Sequence, residues 1–251
     1  MNPFNLEGKV ALVTGASKGL GQAVCVSLAK AGADIVGVAR SATIKTQADV
    51  ERAGQRFTGI EADLGKKGAV SNLMGTLALH GIKPDILVNN AGIIRRNDSI
   101  SFTEEDWDDV MDLNLKALFF LSQSVVRQWI EEGRRGKIIN IASMLSFQGG
   151  IRVPSYTASK TGVLGLTRIG ACEWAKYGIN VNAIAPGYMA TDNTEALRND
   201  PNRNAEILGR IPAGRWGASE DLGGAAVFLA SGAADYINGA VLPVDGGWLA
   251  R

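Results

Sequence analysis

Residues 9–21 read K-V-A-L-V-T-G-A-S-K-G-L-G, and the chain continues Q-A-V-C-V-S-L-A-K-A-G to Gly32. K-V-A-L-V-T at 9–14 is a short, β-branched apolar run, the signature of a strand buried on both faces. The stretch from Gly19 onward has helical periodicity and stops at a glycine. Gly15, Gly19 and Gly21 between them permit a tight turn and let the backbone approach a pyrophosphate, which a helix N-terminus attracts. Their spacing is G-x-x-x-G-x-G, not G-x-G-x-x-G, so glycines alone are equally consistent with a structural turn. The strand–turn–helix context is what points to a dinucleotide.

Working outward, the same alternation repeats. A-D-I-V-G-V-A at 33–39 is a second strand, R-F-T-G-I-E near 56–61 a third and D-I-L-V-N-N at 85–90 a fourth. G-K-I-I-N-I-A-S at 136–143, I-N-V-N-A-I-A-P at 179–186 and A-V-L-P-V-D at 240–245 complete the set. Helical stretches are expected near 43–53, 66–79, 103–132 and 155–177, with further pieces before the last strand. Thr103, with Asp106 three residues on, reads as an N-cap. Apolar strands separated by helices imply an α/β, Rossmann-type, doubly wound sheet of about seven parallel strands with helices on both faces. No linker or repeat interrupts the chain, so 1–251 is expected to be a single dinucleotide-binding and catalytic domain. Ligands of such sheets bind beyond the carboxyl ends of the strands.

Composition excludes several chemistries. The chain has 251 residues, 26 basic and 25 acidic side chains, one histidine, two cysteines and 31 glycines. Near-zero net charge gives no reason to expect nucleic acid or an anionic membrane as partner. The lone His80, before a glycine at a helix end, has a capping setting. One histidine excludes a multi-histidine metal site, and no metal is expected. The acidic run Glu104, Glu105, Asp106, Asp108 and Asp109 suits the start of a helix and lacks a calcium-loop pattern. Cys25 and Cys172 read as reduced, buried small hydrophobes. The N-terminal stretch has no long apolar segment, and no run reaches membrane-spanning length, so the expectation is a cytoplasmic protein.

Y-T-A-S-K places Tyr156 and Lys160 four apart, on one face of the long helix. A free phenol has a pKa of ~10, and a nearby cation would favour its ionised form. Such a tyrosine can exchange a proton with an alcohol or carbonyl oxygen. Ser143 ends the fifth strand at the ligand-facing edge, where its hydroxyl could donate to a substrate oxygen. It is not in G-x-S-x-G and has no histidine partner, which argues against a hydrolase. The second strand ends Val38-Ala39-Arg40-Ser41 with no acid to accept from a ribose 2′-hydroxyl. This leans toward NADP, although a solvated Arg40, or one stacked on adenine, would serve either cofactor.

The glycine turn, N-N-A-G at 89–92, Asn114, Ser143, Tyr156 and Lys160 together resemble the short-chain dehydrogenase/reductase family, across the whole chain. The resemblance implies cofactor-phosphate contacts at Gly15, Ser17, Gly19 and Gly21, with Lys18 and Leu20 of the same turn also at the cofactor. It implies an adenine contact at Asp63 and Leu64, and a cleft lined by Asn89, Ala91 and Gly92. Pro186, Gly187 and Thr191 would lie around the nicotinamide amide. Tyr156 becomes the proton donor or acceptor; Lys160 lowers its pKa and binds the nicotinamide ribose. Ser143 orients the substrate oxygen, and Asn114 helps hold a proton-relay water. A non-catalytic nucleotide sensor would need none of this proton-transfer set.

Longer blocks are similar to one branch of that family, the 2-dehydro-3-deoxy-D-gluconate 5-dehydrogenases, also called 2-deoxy-D-gluconate 3-dehydrogenases. They include N-A-G-I-I-R-R, I-P-A-G-R-W-G and V-D-G-G-W-L-A-R. The branch handles keto-deoxy sugar acids from pectin or other uronate polymers. It is usually NAD-dependent, against the reading of Arg40. Gluconate 5-dehydrogenases and 3-oxoacyl-carrier reductases are the neighbouring alternatives. A sugar acid carries a carboxylate, which arginine suits. The expected substrate contacts are Arg96 and Arg152, with Gln148 on a hydroxyl. Trp107 and Trp129 are read as packing or subunit contacts, and Val244 and Trp248-Leu249 as packing on a neighbouring subunit. The resemblance implies a homotetramer.

Overall fold

The computed structural model describes residues 2–251. Its strands are β1 (Val10–Thr14), β2 (Asp34–Ala39), β3 (Phe57–Glu61), β4 (Ile86–Asn89), β5 (Gly136–Ile141), β6 (Ile179–Pro186) and β7 (Val241–Val244). They form one seven-stranded sheet in the order β3-β2-β1-β4-β5-β6-β7, and every neighbouring pair is parallel. The chain winds outward from β1 to one edge, then returns to β4 and winds to the other. The order reverses between β1 and β4, the place where a crevice opens beyond the strand ends. The sequence pattern had located all seven strands to within a residue or two.

Alternate strand residues feed two separate cores, because successive side chains in a strand point to opposite faces. On one face Ala11, Val13, Ile35, Val88, Ile139 and Ile184 pack with Val24, Cys25 and Leu28 of α1 (Gly19–Lys30). Leu222, together with Ala226 and Leu229 of α9 (Gly223–Ala230), closes the same core. On the other face Leu12, Val36, Leu87, Ile138 and Val181 meet Leu73 and Leu77 of α3 (Ala69–Leu79). That layer also takes Leu121, Val125 and Trp129 of α5 (Leu118–Glu131). A Cβ on Gly136 would stand 2.3 Å from the Trp129 ring, so the glycine opening β5 makes room for that indole. The indole N–H donates to the Pro84 carbonyl at 2.7 Å.

The remaining helices are α2 (Ile44–Arg52), α4 (Glu104–Met111), α6 (Pro154–Trp174), α7 (Glu195–Asn199) and α8 (Pro201–Arg210). Thr103 caps α4 as expected, accepting from the Asp106 N–H at 3.1 Å. The two helices expected within 103–132 are α4 and α5, and a π-helical segment, Asp112–Ala117, joins them. Two side-chain expectations fail. Cys172 is exposed, because it follows the buried Ala171 around the outer face of α6; only Cys25 is a buried thiol. Trp248 does not wait for another subunit: it is buried within its own chain, against Met144, Ile207 and Ile211. No helix among the described residues is long and apolar enough to cross a membrane.

Candidate active site

At the β1–β4 reversal the structure has a cleft of about 740 Å³. The glycine turn forms one wall. Gly15 has φ +70, a left-handed conformation, and a Cβ there would meet the Asn90 side chain at 2.7 Å. A Cβ on Gly21 would strike the Gly15 carbonyl at 2.1 Å. The two glycines therefore let α1 begin tight against the turn. The N-terminus of α1 carries no side-chain cap and no acidic residue in its first turn. Its free N–H groups and positive dipole end face the cleft, and they fit a pyrophosphate. Ser17, Lys18, Gly19 and Leu20 line this end; Arg40, Asp63 and Leu64 line the next part.

Ala91, Gly92, Thr191, Tyr156 and Lys160 line the far end of the cleft. Lys160 is 4% exposed, and its ammonium donates to the Ile141 carbonyl at 2.6 Å. The ammonium also lies 5.8 Å from the centroid of the Tyr156 ring. Ser143 is buried at the end of β5 and starts a short helical turn, accepting from the Leu145 N–H at 3.1 Å. The hydroxyl of Ser146 in that turn donates to the Lys160 carbonyl at 2.6 Å, tying the serine loop to α6. Asn114 sits in the π-helical segment, fully buried. It accepts from the Ile93 N–H and donates to the Ile93 carbonyl, each at 2.9 Å, and donates to the Ser159 hydroxyl at 3.3 Å. One amide thus clamps the Ala91–Ile93 loop to the tyrosine helix. π-helical segments concentrate at functional sites. A Cβ on Gly92 would fall 3.2 Å from the Asn114 side-chain oxygen and 3.7 Å from the Lys160 ammonium, so the glycine keeps open the gap between them.

Burial pushes the Tyr156 phenol above its ordinary value, while the Ser143 hydroxyl, within hydrogen-bonding reach, and the Arg96 charge work in the opposite direction. Lysine 160 was expected to supply that opposing pull. In this geometry its ammonium donates to the Ile141 carbonyl, and burial lowers its own pKa to about 8.

Comparison with known proteins assigns the chain. The family described as short chain dehydrogenase matches residues 9–202. The chain belongs to the short-chain dehydrogenase family. The 2-dehydro-3-deoxy-D-gluconate 5-dehydrogenase of Dickeya dadantii (strain 3937) is 61% identical over 251 residues, covering 100% of this chain and 99% of that protein. The protein of the same name from Escherichia coli (strain K12) is 59% identical, with the same coverage. A crystal structure from Agrobacterium tumefaciens, assigned as a 2-deoxy-D-gluconate 3-dehydrogenase and holding NADP, is 60% identical with a TM-score of 0.95, covering 100% of both chains.

Not every short-chain dehydrogenase position anticipated from the sequence lies in the cleft wall. Asn89 is buried in the sheet, donating to the Ser122 hydroxyl and the Asn140 side chain, each at 2.9 Å. Its neighbour Asn90 lines the cleft instead and donates to the carbonyls of Thr14 and Gly15. Strand alternation sends the two asparagines to opposite sides. Pro186 and Gly187 are not among the residues that line the cleft; a Cβ on Gly187 would meet the Asp245 backbone at 2.6 Å.

Of the expected substrate contacts, Arg96 is exposed and forms no ion pair with an acid among the described residues; it donates to the Asn193 carbonyl at 2.9 Å. Arg152 has φ +64 and pairs with Asp98 at 3.2 Å, which neutralises it. Arg95 is held by Asp106 and Asp109. Gln148 uses its side-chain oxygen to accept from Arg210 and from the Trp248 indole, so that oxygen is engaged within the protein. The sequence reading missed Arg203 and Arg210. Seven positions apart, they share one face of α8, a spacing visible in the sequence once α8 is recognised as a helix.

Proposed function

We propose that this short-chain dehydrogenase interconverts 2-dehydro-3-deoxy-D-gluconate and 2,5-diketo-3-deoxygluconate, the chemistry named for its relatives. One observation carries the reading: 61% identity with the Dickeya enzyme over 251 residues, with the Ser143, Tyr156, Lys160 and Asn114 arrangement complete. When bound, the nicotinamide supplies or takes up the hydride at the substrate carbon. Tyr156 gives its phenolic proton to the carbonyl oxygen in reduction and takes one from the hydroxyl in oxidation. Ser143 donates to the same oxygen and fixes its position. Lys160 and Asn114 pass the proton on toward solvent across the gap that Gly92 leaves open. One domain, 1–251, carries both the cofactor and the substrate contacts.

NADP is the proposed cofactor. β2 ends without an acid, and the exposed Arg40 lines the cleft there with no acidic side chain paired to it among the described residues. A guanidinium in that place suits a 2′-phosphate. The test is steady-state turnover of 2,5-diketo-3-deoxygluconate with NADPH and with NADH. NADPH is expected to be preferred, and Arg40→Asp is expected to cut kcat/KM for NADPH about a hundredfold while sparing NADH, from the loss of a charge-assisted contact. No oxidation of either cofactor would defeat the functional reading; an unchanged ratio in the variant would remove Arg40 alone.

A homotetramer belongs to the same reading. Trp107 on α4, Phe120 on α5 and Ile169 on α6 are 40%, 46% and 48% exposed, large apolar groups that a partner subunit would cover. Light scattering is expected to give four times the 26.4 kDa chain mass. A mass of one chain at micromolar concentration would overturn it. We place the enzyme in the cytoplasm, where free thiols such as Cys25 and Cys172 stay reduced.

A further inference from the structure

Tyr188, two residues beyond the end of β6, is half-buried and packs edge-on against two indoles, Trp248 at 4.8 Å and Trp216 at 5.4 Å between ring centroids. Three guanidiniums, Arg203, Arg210 and Arg96, and one carboxylate, Glu206, act on its phenol through space. Arg96 acts on the Tyr156 phenol as well, so its charge is felt at both tyrosines. The region on the Tyr188 side of the reaction centre is therefore positively charged, in a chain whose overall charge is only +1.

The arginines of this region are not equivalent. Glu206 neutralises Arg203 and Asp221 neutralises Arg215. Arg210 has no acidic partner within ion-pair distance among the described residues. It is nevertheless held in place. Its guanidinium stacks 4.2 Å from the centroid of the Trp248 ring and donates to the Gln148 side-chain oxygen at 3.3 Å. The Trp248 indole donates to that same oxygen at 3.2 Å, so Gln148 fixes both partners. Arg251 adds a further tie, donating to the Gly209 carbonyl at 2.8 Å. Met144, the residue after Ser143, packs with Ile207, Ile211 and Trp248, which sets this end of α8 against the serine loop. A fork of donors that is exposed, unpaired in charge and already oriented loses little entropy when an anion arrives.

We propose that Arg210, stacked on Trp248 and held by Gln148, receives the carboxylate of the substrate. The assignment rests on the sugar-acid reading above and deepens it. In that substrate the carboxylate and the reacting carbon lie toward opposite ends of a six-carbon chain. The carboxylate anchor must then stand apart from Tyr156; the Tyr156 phenol feels the charge of Arg96 but not that of Arg210, whereas Tyr188 feels both. Gln148 becomes a positioning residue for the anchor instead of a ligand for a hydroxyl.

The experiment measures kcat/KM for 2,5-diketo-3-deoxygluconate and for its primary amide, which lacks only the charge, in wild type, Arg210→Gln and Arg210→Lys. Wild type should favour the acid over the amide by about 10- to 100-fold, mostly through KM. Arg210→Gln should reduce that preference to within about threefold, with kcat on the acid nearly kept. Arg210→Lys, which keeps charge but loses the planar fork, should fall between. A preference retained in Arg210→Gln, or absent from wild type, overturns the anchor while leaving the dehydrogenase reading intact. Failure of wild type to turn over the acid at all would instead remove the functional reading. The KM for NADPH, unchanged in each variant, shows that the proteins are folded; Arg210 is exposed, so its truncation opens no cavity.

Discussion

Tyr156→Phe is expected to lower kcat by about 10²- to 10⁴-fold, the usual contribution of a positioned acid or base, while the KM for the nicotinamide cofactor moves by less than about threefold. The substitution removes one oxygen and leaves the ring, so the half-buried packing of Tyr156 beside Lys160 is kept. The pH dependence of wild type should be unsymmetrical. Burial holds the phenol above its ordinary value, so near neutral pH it carries its proton. Carbonyl reduction, which needs that proton, should be flat across neutral pH. Alcohol oxidation, which needs the deprotonated form, should rise with pH. Both profiles should vanish with the hydroxyl. Turnover near the wild-type rate in the Phe variant, with cofactor bound, would show that another group moves the proton.

The fold was readable because its determinants are local. Each strand of the parallel sheet is a short apolar run, and the Tyr156–Lys160 relation follows from helix geometry alone. The choice between Asn89 and Asn90 was also decidable in principle. Leu87 faces the α5 side, so Asn89, two residues on, must do the same, and Asn90 must turn toward the glycine turn. Other features left no local trace. D-L-N-L-K-A reads as ordinary helix, yet it adopts the π form that buries the Asn114 amide. Arg152 looks like any loop arginine until its left-handed backbone and its Asp98 partner are seen. The joining of Gln148, Arg210 and Trp248 closes over spans of 62 and 100 residues, and no window of sequence contains it. What the sequence gets wrong here is the partner of each charge, because ion pairing is decided after the chain has folded.

Lys160 makes the relation between stability and function measurable. A charged amine that is 4% exposed and has a single hydrogen bond to a protein group is costly to keep. Burial lowers its pKa from 10.5 to about 8. Each unit corresponds to ~1.4 kcal/mol, so the folded protein carries a penalty on the order of 3 kcal/mol while this lysine is protonated in both states. The folded pKa lies below the unfolded one, so between about pH 8 and 10.5 the unfolded chain binds more protons than the folded one. Stability from this group therefore rises with pH across that window and is flat below it. Lys160→Met removes the ionisation and keeps much of the side-chain volume. It is expected to stabilise the protein by about 1–3 kcal/mol at pH 7, less what the orphaned Ile141 carbonyl gives back, with the advantage shrinking toward pH 10. The same variant should lose about a hundredfold in kcat, because the proton path from Tyr156 is broken. Urea unfolding at pH 7 and pH 10, set beside turnover, reads both effects. A Met variant that is less stable at pH 7, by an amount independent of pH, would mean that the ammonium is there for the fold; a stabler but inactive protein would show that the fold tolerates Lys160 for its chemistry.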